Sequence, residues 1–323
     1  MYIHAACEGL IPHSHALLAE HGLHWFEPLW EHGYHPNRIA LDRGFLRPLV
    51  IASDSPLAHH PALFRMSPLV IRLDTRISGT PASTTWRATR LAASGREAQV
   101  TVRVAEREPE ARLLLQRELE ILSRFTNPHL VRILDVAQDA RGPVLVLPAL
   151  GDVVEAPTVA VPHAQAARFG AQLAGAVAEA HATGVIHGWI ERAAIRIGPD
   201  GPVLDSFAEA QCDLEPIAID YGSWNPRSWR YLCPEQVRGV RHDHTADVWA
   251  VAMLVAEQAL GRHPTFGRAS HMDSLIAIRD LTFTRIPAST PLGRVLDQVF
   301  VADPARRPTA QQLAEQLAIV AAG

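Results

Sequence analysis

The chain contains no lysine: the 30 residues counted as Lys plus Arg among its 323 positions are all arginine. A coding bias toward GC-rich codons, visible also in the abundance of Ala and Pro, is one account of this. Cysteine is scarce as well. Cys7, Cys212 and Cys233 are widely spaced, which excludes a disulfide framework and paired metal-ligand spacing and suits a reducing compartment. No hydrophobic run is long. The longest, 248–256, falls far short of the roughly 20 residues that span a bilayer. The first ten residues carry neither a basic flank nor a long apolar stretch, so no secretory signal is expected. A net charge of -4 gives no basic excess for nucleic acid. The expectation is a cytoplasmic protein with no membrane and no nucleic-acid partner.

What is present is ample apolar material, 48% of the residues, enough for one large or two smaller cores. Residues 1–68 differ from the rest: nine of the 17 histidines fall in the first 60 positions. Ser14 can cap a short helix through Glu20, and Pro28 can open another turn. Arg38 onward, a turn at Asp42-Arg43-Gly44 and Phe45 to Ile51 read as a hairpin. His21 with His24, and His32 with His35, stand at i,i+3 spacing and are candidate ligands for a divalent metal, with solvated polar histidine as the alternative. Trp25, Phe26 and Trp30 form an aromatic cluster suited to packing or to an interface.

From Val70 the pattern becomes a strand series. Val70–Leu73, Trp86–Leu91, Gln99–Val104, Val131–Val136 and Pro143–Leu147 alternate as strands. Glu110–Phe125 reads as a helix whose three-and-four spacing places Glu118 on the same face as Leu114 and Ile121. The remainder is helical. His163–His181 carries an apolar stripe. Thr245 can cap a helix over 246–260, apolar nearly all round and therefore buried, that Gly261 ends. Pro291–Phe300 forms another. Thr309 with Gln312 makes a capping box for the last helix.

Several segments in this order carry a resemblance. GREAQVTVRV (95–104), RELEILSRFTNPHLVRILD (117–135), HATGVIHGWIERAAIRI (181–197), YLCPEQ (231–236), TADVWAVAMLVAEQALGRHPTF (245–266) and DPARRPT (303–309) together resemble the eukaryotic-like serine/threonine protein kinases of bacteria, over about 70–320. The resemblance implies an α+β, two-lobed fold: a small antiparallel β lobe with one helix over 69–150, a larger helical lobe over 151–323, and an extension over 1–68.

Matched position by position, the chemistry is altered. Arg103 stands where the family anchors phosphate with lysine, and it can pair with Glu118. The His-Arg-Asp of the catalytic loop is His187-Gly188-Trp189, so its aspartate is a tryptophan, which cannot accept a proton. Glu191 replaces a lysine of that loop. The metal-holding asparagine is Ala194. The Asp-Phe-Gly metal site aligns as Ser206-Phe207-Ala208, with Asp205 one residue early. Ser78, Thr80 and Ser83 replace the phosphate-loop glycines, and Pro81 removes a donor. The framework residues His187, Glu235, Asp247 and Arg307 match. The expectation is therefore a pseudokinase: not an enzyme, without a cofactor, and acting on a protein partner as scaffold or allosteric regulator. One alternative is a kinase-like enzyme with weak or altered transfer that binds ATP through Arg103, Glu118 and Asp205. Another is a metal- or ligand-sensing module built on the N-terminal histidines.

Overall fold

The computed structural model describes residues 35–36, 45–46, 49–50, 70–79, 83–91, 97–106, 109–139, 142–212, 229–240 and 242–323. The expected helices near Ser14 and Pro28, the aromatic cluster at Trp25, and His21, His24 and His32 lie outside the described residues. His35 lies in a two-residue strand, His35–Pro36, paired antiparallel with Leu49–Val50. The hairpin expected over 38–51 differs in its pairing. Phe45–Leu46 instead joins the outer edge of the first long strand, opposite Arg72 and Ile71, where that edge offers unpaired N–H and C=O groups.

The chain divides into two compact units, one reaching Arg124 and including Arg132–Leu150, the other formed by Phe125–Val131 with Gly151–Gly323. In the first unit, β1 (Val70–Gly79), β2 (Ser83–Leu91), β3 (Glu97–Ala105), α1 (Pro109–Leu122), β4 (Asp135–Asp139) and β5 (Gly142–Pro148) follow one another. The strands form an antiparallel sheet ordered β1-β2-β3-β5-β4. On β3 the two-residue period sends Val100, Val102 and Val104 into one core with Ile71, Ala88, Val144 and Val146. Thr101, Arg103 and Ala105 take the opposite face and are also buried.

A strand expected over Val131–Val136 begins only at Asp135. The earlier residues have other partners: the Val131 N–H donates to the Leu204 carbonyl (2.9 Å), and the Leu204 N–H donates to the His129 carbonyl (2.8 Å). His129 and Val131 belong to the second unit, whose pairing outweighs the local β preference of Val131, while the Leu134 N–H donates to the Val146 carbonyl (2.8 Å) within the first unit.

The second unit holds α2 (His163–Ala182), the hairpin β6 (Ile195–Gly198) and β7 (Gly201–Leu204), α3 (Thr245–Leu260), α4 (His271–Arg279), α5 (Pro291–Val299) and α6 (Ala310–Ala322). Helix α3 is buried on nearly every side. Its end requires a glycine. Gly261 has φ of 68°, and a Cβ there would lie 2.3 Å from the Ala160 backbone nitrogen. Its start differs from the expected Thr245 cap. Asp243 Oδ1 accepts both the N–H and the hydroxyl of Thr245 (2.8 and 2.6 Å), because Thr245 itself is buried against Arg307. The capping box at Thr309 and Gln312 is present.

One buried pair ties this unit together. Arg307 donates through Nη1 and Nη2 to the two carboxylate oxygens of Glu235 at 2.6 and 2.8 Å, and its guanidinium carbon lies 5.0 Å from the centroid of the fully buried Trp249 ring. Burial alone would raise the Glu235 carboxyl. The hydrogen bonds from Arg307 and Cys233 outweigh it and hold the carboxyl below its ordinary value. Because the folded pKa is the lower one, this pair's stabilisation is present above pH ~4.3 and is lost as pH falls through the folded value. We expect Glu235→Gln to lower stability by about 3–5 kcal/mol at pH 7 in urea unfolding. The deficit should shrink as the wild type is acidified; one that is constant from pH 7 to 3 would contradict the assignment.

Candidate active site

In the first unit, Arg103 projects from β3 toward α1. Its Nη1 donates to Glu118 Oε1 at 2.6 Å, and the two residues are 4% and 1% exposed. Register explains the meeting. Arg103 pairs with Thr85 and Leu145 across the sheet, on the face turned away from the valine core, while Glu118 lies among the apolar residues of α1. Charges so desolvated persist only when paired.

In the second unit, the loop 187–194 is organised by Asp247, in the first turn of α3. Asp247 Oδ2 accepts the His187 N–H (2.9 Å) and Oδ1 accepts the Gly188 N–H (2.7 Å), while His181 Nε2 lies 2.9 Å from Oδ2. Gly188 takes this position with φ of 78°; a Cβ there would stand 3.2 Å from His242 Nε2. The His187 ring is buried and held neutral, since burial outweighs the attraction of Asp247 and Asp205. Its Nδ1 accepts the Trp189 N–H and its Nε2–H donates to the Asp205 carbonyl. Trp189 is partly buried, with its ring edge-on to His242 at 6.5 Å. Ala194 is buried and presents only a methyl group.

Phe207 is fully buried, 4.8 Å from the His187 ring and 4.9 Å from Phe125. The residue before it, Ser206, adopts a left-handed conformation with φ of 71°, a strained backbone for a side chain with a Cβ. Asp205 is turned inward at 1% exposure. Its Oδ1 accepts the Ser206 N–H at 2.7 Å, and its Oδ2 faces Arg196 Nε at 3.7 Å.

Two features escape a reading of the sequence. Arg196 is 8% exposed, although an arginine in a short alternating strand reads as a surface residue. The other is a buried cluster around Glu257, whose Oε2 accepts the Tyr231 hydroxyl at 2.6 Å and lies 3.7 Å from Arg192 Nε. Burial first, then Glu257, raises the Tyr231 phenol well above its ordinary value. A signal existed for it: Glu257 is a carboxylate in a helix otherwise almost wholly apolar. Nearby, His263 is pushed down to about 3, chiefly by burial. Among the described residues no group of three or more His, Cys, Asp or Glu is placed to hold a metal ion.

The Arg103–Glu118 pair yields a direct test. Arg103→Met leaves a buried carboxylate without its cation and is expected to cost about 3–5 kcal/mol in urea unfolding. The double variant Arg103→Met, Glu118→Leu should recover most of that loss; a double variant as unstable as the single one would mean the pair is not the dominant interaction there.

No family model matches the chain. It is 27% identical over 267 residues to serine/threonine-protein kinase PkaA of Streptomyces coelicolor, covering 74% of this chain and 48% of that protein. It is 28% identical over 209 residues to Aurora/IPL1-related protein kinase 2 of Caenorhabditis elegans, 62% of this chain and 66% of that one. With serine/threonine-protein kinase PknL of Mycobacterium tuberculosis it shares 30% identity over 197 residues, 56% of this chain and 45% of that one. The chain thus spans about half to two thirds of the length of these relatives. They overturn the expectation that the chain is not an enzyme, because each is named as a protein kinase. Loss of the loop's base does not by itself abolish transfer. A positioned base contributes about 10²–10⁴-fold, whereas positioning and electrostatic stabilisation carry most of phosphoryl transfer. Among the described residues no helix is long and apolar enough to cross a membrane. The antiparallel sheet with its single helix, the helical second unit and these relatives agree: over most of its length the chain is similar to serine/threonine protein kinases of bacteria and of eukaryotes.

Proposed function

We propose that the chain is a cytoplasmic, kinase-like enzyme that binds ATP and transfers its terminal phosphoryl group slowly, with Arg103 as the strand cation for the phosphates. The observation that carries this reading is the buried Arg103–Glu118 pair. It keeps a fixed positive charge on β3 and locks it to α1, and a guanidinium presents its N–H donors in a planar fork suited to phosphate oxygens. In the transfer the bond from the terminal phosphorus to the bridging oxygen breaks, ADP leaves, and a bond forms to the acceptor hydroxyl oxygen. The hydroxyl proton departs to water, since Trp189 offers no acceptor for it.

Protein binding, as a scaffold or allosteric partner, is a second part of the reading. Phe266 and Met272, 70% and 63% exposed, favour it, because large exposed apolar side chains suit interfaces. Photo-crosslinking from position 266 in the producing cell checks this; an absence of protein adducts would count against it.

The enzymatic reading is tested with γ-labelled ATP and a generic protein acceptor. Slow incorporation is expected from the wild type, and Trp189→Asp, which restores a proton acceptor, should raise the rate by about 10²-fold or more. No transfer from either protein, both shown to be folded by thermal melting, would contradict it.

A further inference from the structure

The family's chemistry implies a divalent cation beside the nucleotide, and the residues of this chain do not fit one. Magnesium requires near-octahedral oxygen ligands and is usually held through one or two carboxylates. Ala194 supplies no side-chain oxygen, and its carbonyl accepts the Asp205 N–H at 2.8 Å. Ser206 has only a hydroxyl. The one carboxylate in the segment, that of Asp205, is 1% exposed, takes the Ser206 N–H on one oxygen and meets Arg196 on the other.

Arg196 is held there by more than the ion pair. Its residue is paired across the hairpin with Val203 and on the other side bridges to Val153, so β6 has a neighbour on both edges. Asp205 follows directly on β7, with its N–H on Ala194 and its carbonyl on His187. Both charged groups therefore have fixed backbones. A dication approaching Asp205 would have to displace a guanidinium or sit against it, and like charges in a desolvated setting repel strongly.

We infer that Arg196 is a built-in counter-ion that closes Asp205 to divalent cations, and that the chain engages a nucleoside triphosphate in its metal-free form. The second half rests on the nucleotide-binding reading above; the first half does not. The protein supplies, as a covalently fixed monovalent charge, what its relatives' chemistry recruits from solution. The guanidinium also remains a donor to phosphate oxygens while facing Asp205, because it has five N–H groups.

The test uses the full chain in two independent arms. In the first, ATP is titrated calorimetrically in EDTA and again in Mg²⁺. The dissociation constant should agree within about twofold, and a tightening of about tenfold or more by Mg²⁺ would overturn the inference. In the second, Mn²⁺ alone is titrated and followed by its electron paramagnetic resonance signal. Wild type should show no saturable binding, Arg196→Gln should gain it, and Arg196→Gln with Asp205→Asn should lose it again. Saturable Mn²⁺ binding by the wild type that disappears in Asp205→Asn, or a folded Arg196→Gln that gains none, would overturn the closed-site assignment. If ATP binds in neither buffer, the nucleotide reading fails while the Mn²⁺ arm still decides the role of Arg196. If Arg196→Gln does not fold, the two wild-type titrations decide it.

Discussion

The side chain of Asp247 is the constraint on which the rest of the second unit's site depends. One buried carboxylate accepts two consecutive backbone N–H groups, from His187 and Gly188, and does so from the first turn of a helix, where the dipole favours negative charge. Fixing those two amides fixes the His187 ring. The ring's Nε2–H then holds the Asp205 carbonyl, and its face receives Phe207. The left-handed backbone at Ser206 is the local strain that this arrangement imposes. Each step follows from the one before, so the loop's path is determined from below, by the helix beneath it, whatever side chains the loop presents.

That separation explains how the framework and the chemistry of this chain could diverge. The Glu235–Arg307 pair, the Tyr231–Glu257 hydrogen bond and the Asp247 contacts are all buried, and removing one partner from any of them leaves a desolvated charge or polar group behind. Trp189, Ala194 and Ser206 carry no such penalty. Exchanging a tryptophan that is only partly buried, a small alanine or a serine leaves no buried charge behind. Physical cost therefore protects the scaffold and leaves the reacting positions open to change.

Much of the fold is legible in the residues because the signals are long or redundant. Helix α3 declares itself by an apolar run ended by a glycine, and α6 by a Thr-Gln capping box. Glu118 is recognisable because a carboxylate on an apolar face needs a cation, and Arg103 lies on a strand that can supply one. Other features have no local signature. Arg196 and Asp205 meet only because a hairpin sets them side by side. Val131 has the composition of a strand of the sheet, yet it hydrogen-bonds to Leu204 of the second unit, to which it belongs. Thr245 has the right chemistry for a cap but is drawn inward by Arg307, and Asp243 serves the helix instead. The sequence displays which side chains of the reacting loop are replaced, and says nothing of what positioning and electrostatics alone can contribute to transfer.

Amide hydrogen exchange at His187 and Gly188, followed by NMR on the native protein, measures the central constraint directly. If Asp247 holds the loop as described, both amides should exchange on the timescale of the core amides of α3, through opening that approaches global unfolding. Exchange of these two amides as fast as that of exposed loop positions, while α3 stays protected, would contradict the account.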